Sequence, residues 1–262
     1  MDLQLTAKTA LVTGSTAGIG LAIAQRLAAE GASVIITGRT QARLDDATAA
    51  ILKETPLAEV RGVAVDFGKV TEIDALLREV PRVDILVNNV GIFDPKPFAD
   101  IDDAEWLNFF EVNVLSGVRL ARQYFPLMLA ANWGRILFIS SESALQIPAE
   151  MIQYGTTKTA QLAVARGLAE LTKGTGVTVN SVLPGPTASE GVEGFLAKLS
   201  GGKSREQAEQ EFFEHARPSS LLQRFAAPAE VANLVAYLSS PLASATNGAS
   251  VRVDGGVVRS IG

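Results

Sequence analysis

Seven short runs rich in β-branched residues, each separated from the next by an Ala- and Leu-rich stretch, constrain this chain most. The runs fall at 9–13, 33–37, 61–65, 84–87, 135–139, 177–182 and 251–253. Between them, apolar residues recur at three- and four-residue steps over 19–30, 41–53, 70–79, 103–131, 151–173 and 228–239, which predicts helices. The 103–131 stretch is expected to break near Asn113 and Pro126. Strands that read as continuous apolar runs belong in a parallel sheet covered on both faces. Right-handed crossovers then give an α/β, doubly wound, Rossmann-like fold with a seven-stranded parallel sheet. No repeat or linker divides residues 1–262, so one domain is expected. From about 189 to 225 no strand candidate occurs, and Gly191, Gly194, Gly201 and Gly202 punctuate short helical pieces. Such an insertion predicts a helical lid over the site.

Composition removes several classes of chemistry. The chain has no cysteine, and His215 is its only histidine, so thiolate nucleophiles, Cys-ligated zinc and a Ser-His-Asp triad are excluded. The net charge of −5, with both signs interspersed, gives no support to nucleic-acid binding. The first residues lack a signal-peptide pattern, and no apolar run approaches a membrane span. A cytoplasmic protein with no membrane partner and no metal is expected.

The join between the first strand and the first helix reads Thr13-Gly14-Ser15-Thr16-Ala17-Gly18-Ile19-Gly20. Glycines there let the backbone approach a pyrophosphate, while the helix N-terminus offers free N–H groups and a positive dipole end. A plain tight turn would also explain them. At the end of the second strand an acid would favour the 2′-hydroxyl of NAD, but the chain reads Thr37-Gly38-Arg39. Arg39 can grip a 2′-phosphate bidentately, so NADP(H) is expected over NAD(H). Tyr154 and Lys158 stand four apart on one helix face. Lowering a phenol by about 3 pKa units needs roughly 4 kcal/mol. One positive charge about 4 Å away supplies a similar amount at an effective dielectric of about 20.

With these motifs go Asp66-Phe67 after strand three, Asn88-Asn89-Val90-Gly91 after strand four and Asn113 in the long helix. Ser141 follows strand five, Pro184-Gly185 follows strand six, and Val253-Asp254-Gly255-Gly256 lies near the end. In this order, over nearly the whole length, the chain resembles the short-chain dehydrogenase/reductase family. The resemblance implies an oxidoreductase that moves a hydride between nicotinamide and a small alcohol or carbonyl substrate, with Tyr154 as general acid/base. It implies that Ser141 steadies the substrate oxygen, with Ser140 as a rival, and that Lys158 holds the nicotinamide ribose and lowers the phenol. Asn113 would anchor a water in a proton relay. The implied cofactor contacts are Gly14, Ser15, Thr16, Gly18, Ile19, Gly20, Arg39, Asp66, Phe67, Asn89, Gly91, Tyr154, Lys158, Pro184, Gly185 and Thr187, with Asp66 and Phe67 flanking the adenine. A homotetramer or homodimer through the helices near 104–131 and 151–173 is also implied.

Two departures stand out. Val90 occupies a place usually held by alanine, and Ser189 takes the place of a threonine after Pro184-Gly185, with Thr187 two positions earlier. Which of those hydroxyls meets the carboxamide stays open. Three further features read as structural: His215 as exposed, the acids Glu206, Glu209, Glu211 and Glu214 as a solvated helix face, and Trp106 and Trp133 as packing residues. Glu190 reads as a helix-start acid at the lid entrance. The apolar residues Val192, Phe195, Leu196, Leu199, Phe212 and Phe213 would either line a pocket or pack the lid down. Two other activities fit parts of the pattern. One is a non-catalytic NADP(H)-binding regulator, which has no need of a Ser-Tyr-Lys set; the other is a sugar-nucleotide epimerase or dehydratase, typically a longer chain.

Overall fold

The computed structural model describes residues 1–189 and 204–261. Seven parallel strands form one sheet in the order β3-β2-β1-β4-β5-β6-β7. They are β1 (Thr9–Val12), β2 (Ser33–Gly38), β3 (Val60–Ala64), β4 (Ile85–Asn88), β5 (Gly134–Ile139), β6 (Val177–Pro184) and β7 (Ser250–Val253). The described α-helices are α1 (Gly18–Ala29), α2 (Gln41–Glu54), α3 (Val70–Glu79), α4 (Asp103–Phe110), α5 (Ser116–Ala130), α6 (Ile152–Glu170), α7 (Arg205–Glu211) and α8 (Pro228–Ser239). The expected doubly wound, Rossmann-like sheet is therefore what the chain forms.

Alternation along each strand builds two cores, one on each face of the sheet. Ala10, Val12, Val34, Ile36, Val87 and Leu137 point to one side, where α1, α2 and α8 contribute Ile23, Leu27, Leu44, Ile51, Val231 and Val235. Leu11, Ile35, Leu86, Ile136 and Phe138 point to the other, against Ile73 and Leu76 of α3 and Leu120, Tyr124 and Met128 of α5. Register holds this alternation in place, with Leu11 beside Ile35 on one flank and Leu86 on the other. Burying both faces is why the strands read as unbroken apolar runs.

The long helical stretch departs from expectation at one of its two breaks. Near Asn113 the chain widens into a π-turn, Glu111–Leu115, between α4 and α5. At Pro126 it does not break: α5 runs on to Ala130 with the proline inside it. Pro126 cannot bond the carbonyl of Arg122, but both residues are exposed, so water can satisfy that oxygen.

Sheet order reverses between β1 and β4, and the crevice at the carboxyl ends of those strands is where doubly wound folds bind ligands. The loops after β1, β4, β5 and β6 all open there.

Candidate active site

At the end of β1 the chain must turn sharply and start α1. Gly14 and Gly18 do this at φ of 61° and 54°, values costly for any residue with a Cβ. Gly20 is needed for a different reason, since a Cβ there would lie 2.3 Å from the Gly14 carbonyl oxygen. The turn is braced from β4: Asn89 Nδ2 donates to the carbonyls of Thr13 and Gly14 at 3.0 Å each. The Thr13 hydroxyl accepts from the Asn89 and Val90 amides at 2.8 and 3.1 Å. No side chain caps α1, and its first turn carries no acid, so its N-terminal amides remain open to an anion.

Two of the expected cofactor contacts have inward-turned side chains. Ser15 has no exposed surface. Its hydroxyl donates to the Val12 carbonyl at 2.7 Å and accepts from the Thr37 amide at 2.9 Å, so it locks the turn to β2. Phe67 is packed into the core with Val65, Ile73 and Leu76, because its ring gains more there than on an open loop. Asp66 stays partly exposed, and its Oδ1 accepts from the Gly68 amide at 3.0 Å. Arg39 stands exposed just past β2, and Thr16 fills the space over Gly38.

Beyond the glycine turn lies a cavity of about 260 Å³. Ile19, Asn89, Gly91, Ser141, Tyr154 and Lys158 open onto it, as do Pro184, Gly185, Thr187 and Ser189 from the β6 side. Ser140, the rival to Ser141, donates its hydroxyl to the Lys158 carbonyl at 2.9 Å and so serves to fix α6. Ser141 lines the cavity together with the Tyr154 phenol, and its hydroxyl donates to Glu142 Oε2 at 2.6 Å. Thr187 donates to the Gly185 carbonyl at 2.9 Å, whereas the Cβ of Ser189 lies 3.2 Å from where a Cβ on Gly18 would be. Ser189 thus faces the glycine turn directly.

The Lys158 amine is buried, donating to the Ile139 carbonyl at 2.9 Å and to Gln161 Oε1 at 3.4 Å. Desolvation pushes it down to about 7. Burial likewise pushes the Tyr154 phenol above its ordinary value; the Ser141 hydrogen bond and the Arg217 charge oppose this, and the Glu142 charge adds to it. Lys158 Nζ sits 5.5 Å from the Tyr154 ring centroid.

Asn113 is held by the π-turn with its side chain committed. Its Oδ1 accepts from the Ile92 amide at 2.7 Å, and its Nδ2 donates to the Ile92 carbonyl and the Thr157 hydroxyl, both at 3.0 Å. Its backbone carbonyl accepts from Gln161 Nε2. Gln161, which sequence reasoning passed over, therefore bridges Asn113 to the Lys158 amine. Its position one turn beyond Lys158 on α6 was the available signal.

The far wall of the cavity was also missed. Glu142 is buried; its Oε2 accepts from the hydroxyls of Ser141 and Ser143, each at 2.6 Å. Its Oε1 accepts from Arg217 Nε at 2.9 Å, and Arg217 Nη1 lies 3.4 Å from Glu150. Phe212 lines the cavity, whereas Phe213 turns away to pack on Phe225 at 5.1 Å between centroids. His215 and Glu206, Glu211 and Glu214 are exposed, and Glu209 accepts from the Phe225 amide at 2.9 Å. Trp106 is partly buried, and Trp133 packs against the core beneath Lys8. Glu190, Val192, Phe195, Leu196 and Leu199 lie outside the described residues. Among the described residues, no cluster of acids and histidine is placed to hold a metal, and no helix is long and apolar enough to cross a membrane.

Known proteins share this arrangement. The short chain dehydrogenase family model matches residues 8–199. An uncharacterized oxidoreductase of Bacillus subtilis, YvaG, is 49% identical, with 100% of each chain covered. The D-beta-hydroxybutyrate dehydrogenase of Cupriavidus necator is 35% identical over 97% of this chain and 99% of its own. Among solved structures, L-sorbose reductase from Gluconobacter frateurii, complexed with NADPH and L-sorbose, superposes with a TM-score of 0.92 at 30% identity, covering 100% of both chains. The chain belongs to the short-chain dehydrogenase family and is an oxidoreductase acting on alcohol or carbonyl groups with a nicotinamide cofactor.

Proposed function

We propose that this chain interconverts a small ketone and its alcohol using NADP(H), with Tyr154 as the proton donor and acceptor at the substrate oxygen. The convergence of Ser141, Tyr154 and Lys158 on the cavity that also takes in Ile19, Gly91 and Gly185 carries this reading. The residues fit a dinucleotide. The open α1 N-terminus suits the pyrophosphate, and Gly91 leaves room where a Cβ would crowd Lys158 Nζ at 3.3 Å. Arg39, with no acid at the end of β2, supports NADP(H) over NAD(H).

When bound, the reduced cofactor supplies the hydride. Tyr154 would then give its proton to the substrate oxygen, and burial, which raises its pKa, keeps that proton in place until needed. Ser141 would hold the same oxygen, and Lys158, lowered by burial to about 7, would return a proton to the phenolate. For oxidation the phenol must be lowered, and the positive charge of the oxidised nicotinamide is the available source. A non-catalytic sensor would have no use for a buried lysine desolvated to this degree.

Replacing Tyr154 by Phe tests the reading. Ketone-dependent NADPH oxidation should fall at least a thousandfold while the Kd for NADPH changes less than threefold. Retained turnover would reject Tyr154 as the acid/base. Assembly into a homodimer or homotetramer, in the cytoplasm, completes the proposal. The exposed Leu107, Leu115 and Leu127 beside α4 and α5 support a second copy there.

A further inference from the structure

The substrate wall opposite Lys158 carries a feature that the chemistry of hydride transfer does not require. Among the described residues Arg217 is the cation on this wall, and two of its three nitrogens are bonded. Its Nε is bonded to Glu142 at 2.9 Å, and its Nη1 donates to the Ala216 carbonyl at 2.8 Å and faces Glu150 at 3.4 Å. Glu142 in turn has both oxygens engaged, since Oε2 takes the hydroxyls of Ser141 and Ser143. Counted at their ordinary charges, two carboxylates and one guanidinium leave the described part of this wall with a net negative charge. Phe93, Met151, Phe212 and Phe225 supply apolar surface around it. The other basic residue among the described lining, Lys158, is bonded to a carbonyl and to Gln161 and is largely desolvated.

We infer that Glu142, by capping Arg217, makes this site select neutral carbonyl substrates and turn away those carrying a carboxylate. A carboxylate entering the cavity would lose its water beside two carboxylates, and of the described guanidinium it would find Nε and Nη1 already bonded. A neutral substrate loses less on desolvation and can use the aromatic wall. This inference rests on the carbonyl-reductase reading, deepening it to a substrate class.

The test uses a pair matched in shape, 4-oxopentanoate and 4-oxopentanamide, whose charged or neutral group lies away from the ketone. Two readouts are taken on the full chain: kcat/KM with NADPH, and Kd by calorimetry without cofactor. The amide should exceed the carboxylate at least tenfold in both. In Glu142→Gln, where Arg217 loses its charged partner, that ratio should fall toward one. Because it is a ratio on one enzyme, a general loss of activity cancels. Glu150→Gln, at a half-exposed position that tolerates change, should lower the ratio about threefold. Preference in binding with no turnover of either compound would overturn the reductase reading and leave the selectivity standing. A wild-type ratio at or below one, an amide neither bound nor reduced, or a ratio unmoved in both variants would overturn the inference.

Discussion

The two walls of the cavity are built by opposite means. On the cofactor side, the turn at Thr13–Gly20 is almost all backbone: positive φ at Gly14 and Gly18, a close approach at Gly20, and carbonyls tied off by Asn89. On the substrate side, the wall is a net of charged side chains in which Glu142 binds two serines and an arginine from 75 residues away. The first wall presents N–H groups and empty space, suited to a ligand common to many enzymes. The second presents fixed charge and aromatic surface, which suits discrimination. Backbone walls fail by steric intrusion, and side-chain walls fail by losing a partner.

Substitutions can break that contrast at either end. The largest effect is expected at Gly20→Ala, where the new methyl would overlap the Gly14 carbonyl oxygen. Stability should drop by roughly 3 kcal/mol or more, and thermal stabilisation by added NADPH should vanish. A mild variant that still binds cofactor would mean the turn is softer than its geometry implies.

Next comes Arg217→Met, which leaves Glu142 buried without its cation. Urea denaturation should show a loss of about 2–3 kcal/mol with the NADPH Kd nearly unchanged, because the side-chain partners of Arg217 are Glu142 and Glu150 and none belongs to the glycine turn. An equal loss of cofactor affinity would show that the two walls are coupled.

The smallest effect belongs to Arg39→Ala, an exposed side chain beyond β2. About a tenfold rise in KM for NADPH is expected, with NADH kinetics untouched, since only the 2′-phosphate loses a partner. A wild-type enzyme that already prefers NADH would remove the basis for this expectation.

How much could be read in advance follows the same division. Apolar runs alternating with helical periodicity gave the parallel sheet, because a strand buried on both faces has no polar side to show. The glycine turn, Asn89, Ser141 and the Tyr154/Lys158 pair were legible for a related reason. Each sits just past a strand or one turn along a helix, so short-range spacing fixes where it lies. That the side chains of Ser15 and Phe67 turn inward was not legible, because spacing says which loop a residue occupies but not which way its side chain turns.

The sequence by itself therefore determined the layers, the order of functional loops and the chemistry available at the strand ends, all of which follow from local periodicity and residue type. Only the tertiary structure decided the surroundings of the titratable groups in the site. Burial raises the Tyr154 phenol and lowers the Lys158 amine, and the Glu142–Arg217 pair closes across 75 positions. The physical reason is that desolvation and long-range ion pairing depend on what surrounds a group in space, which no spacing along the chain encodes.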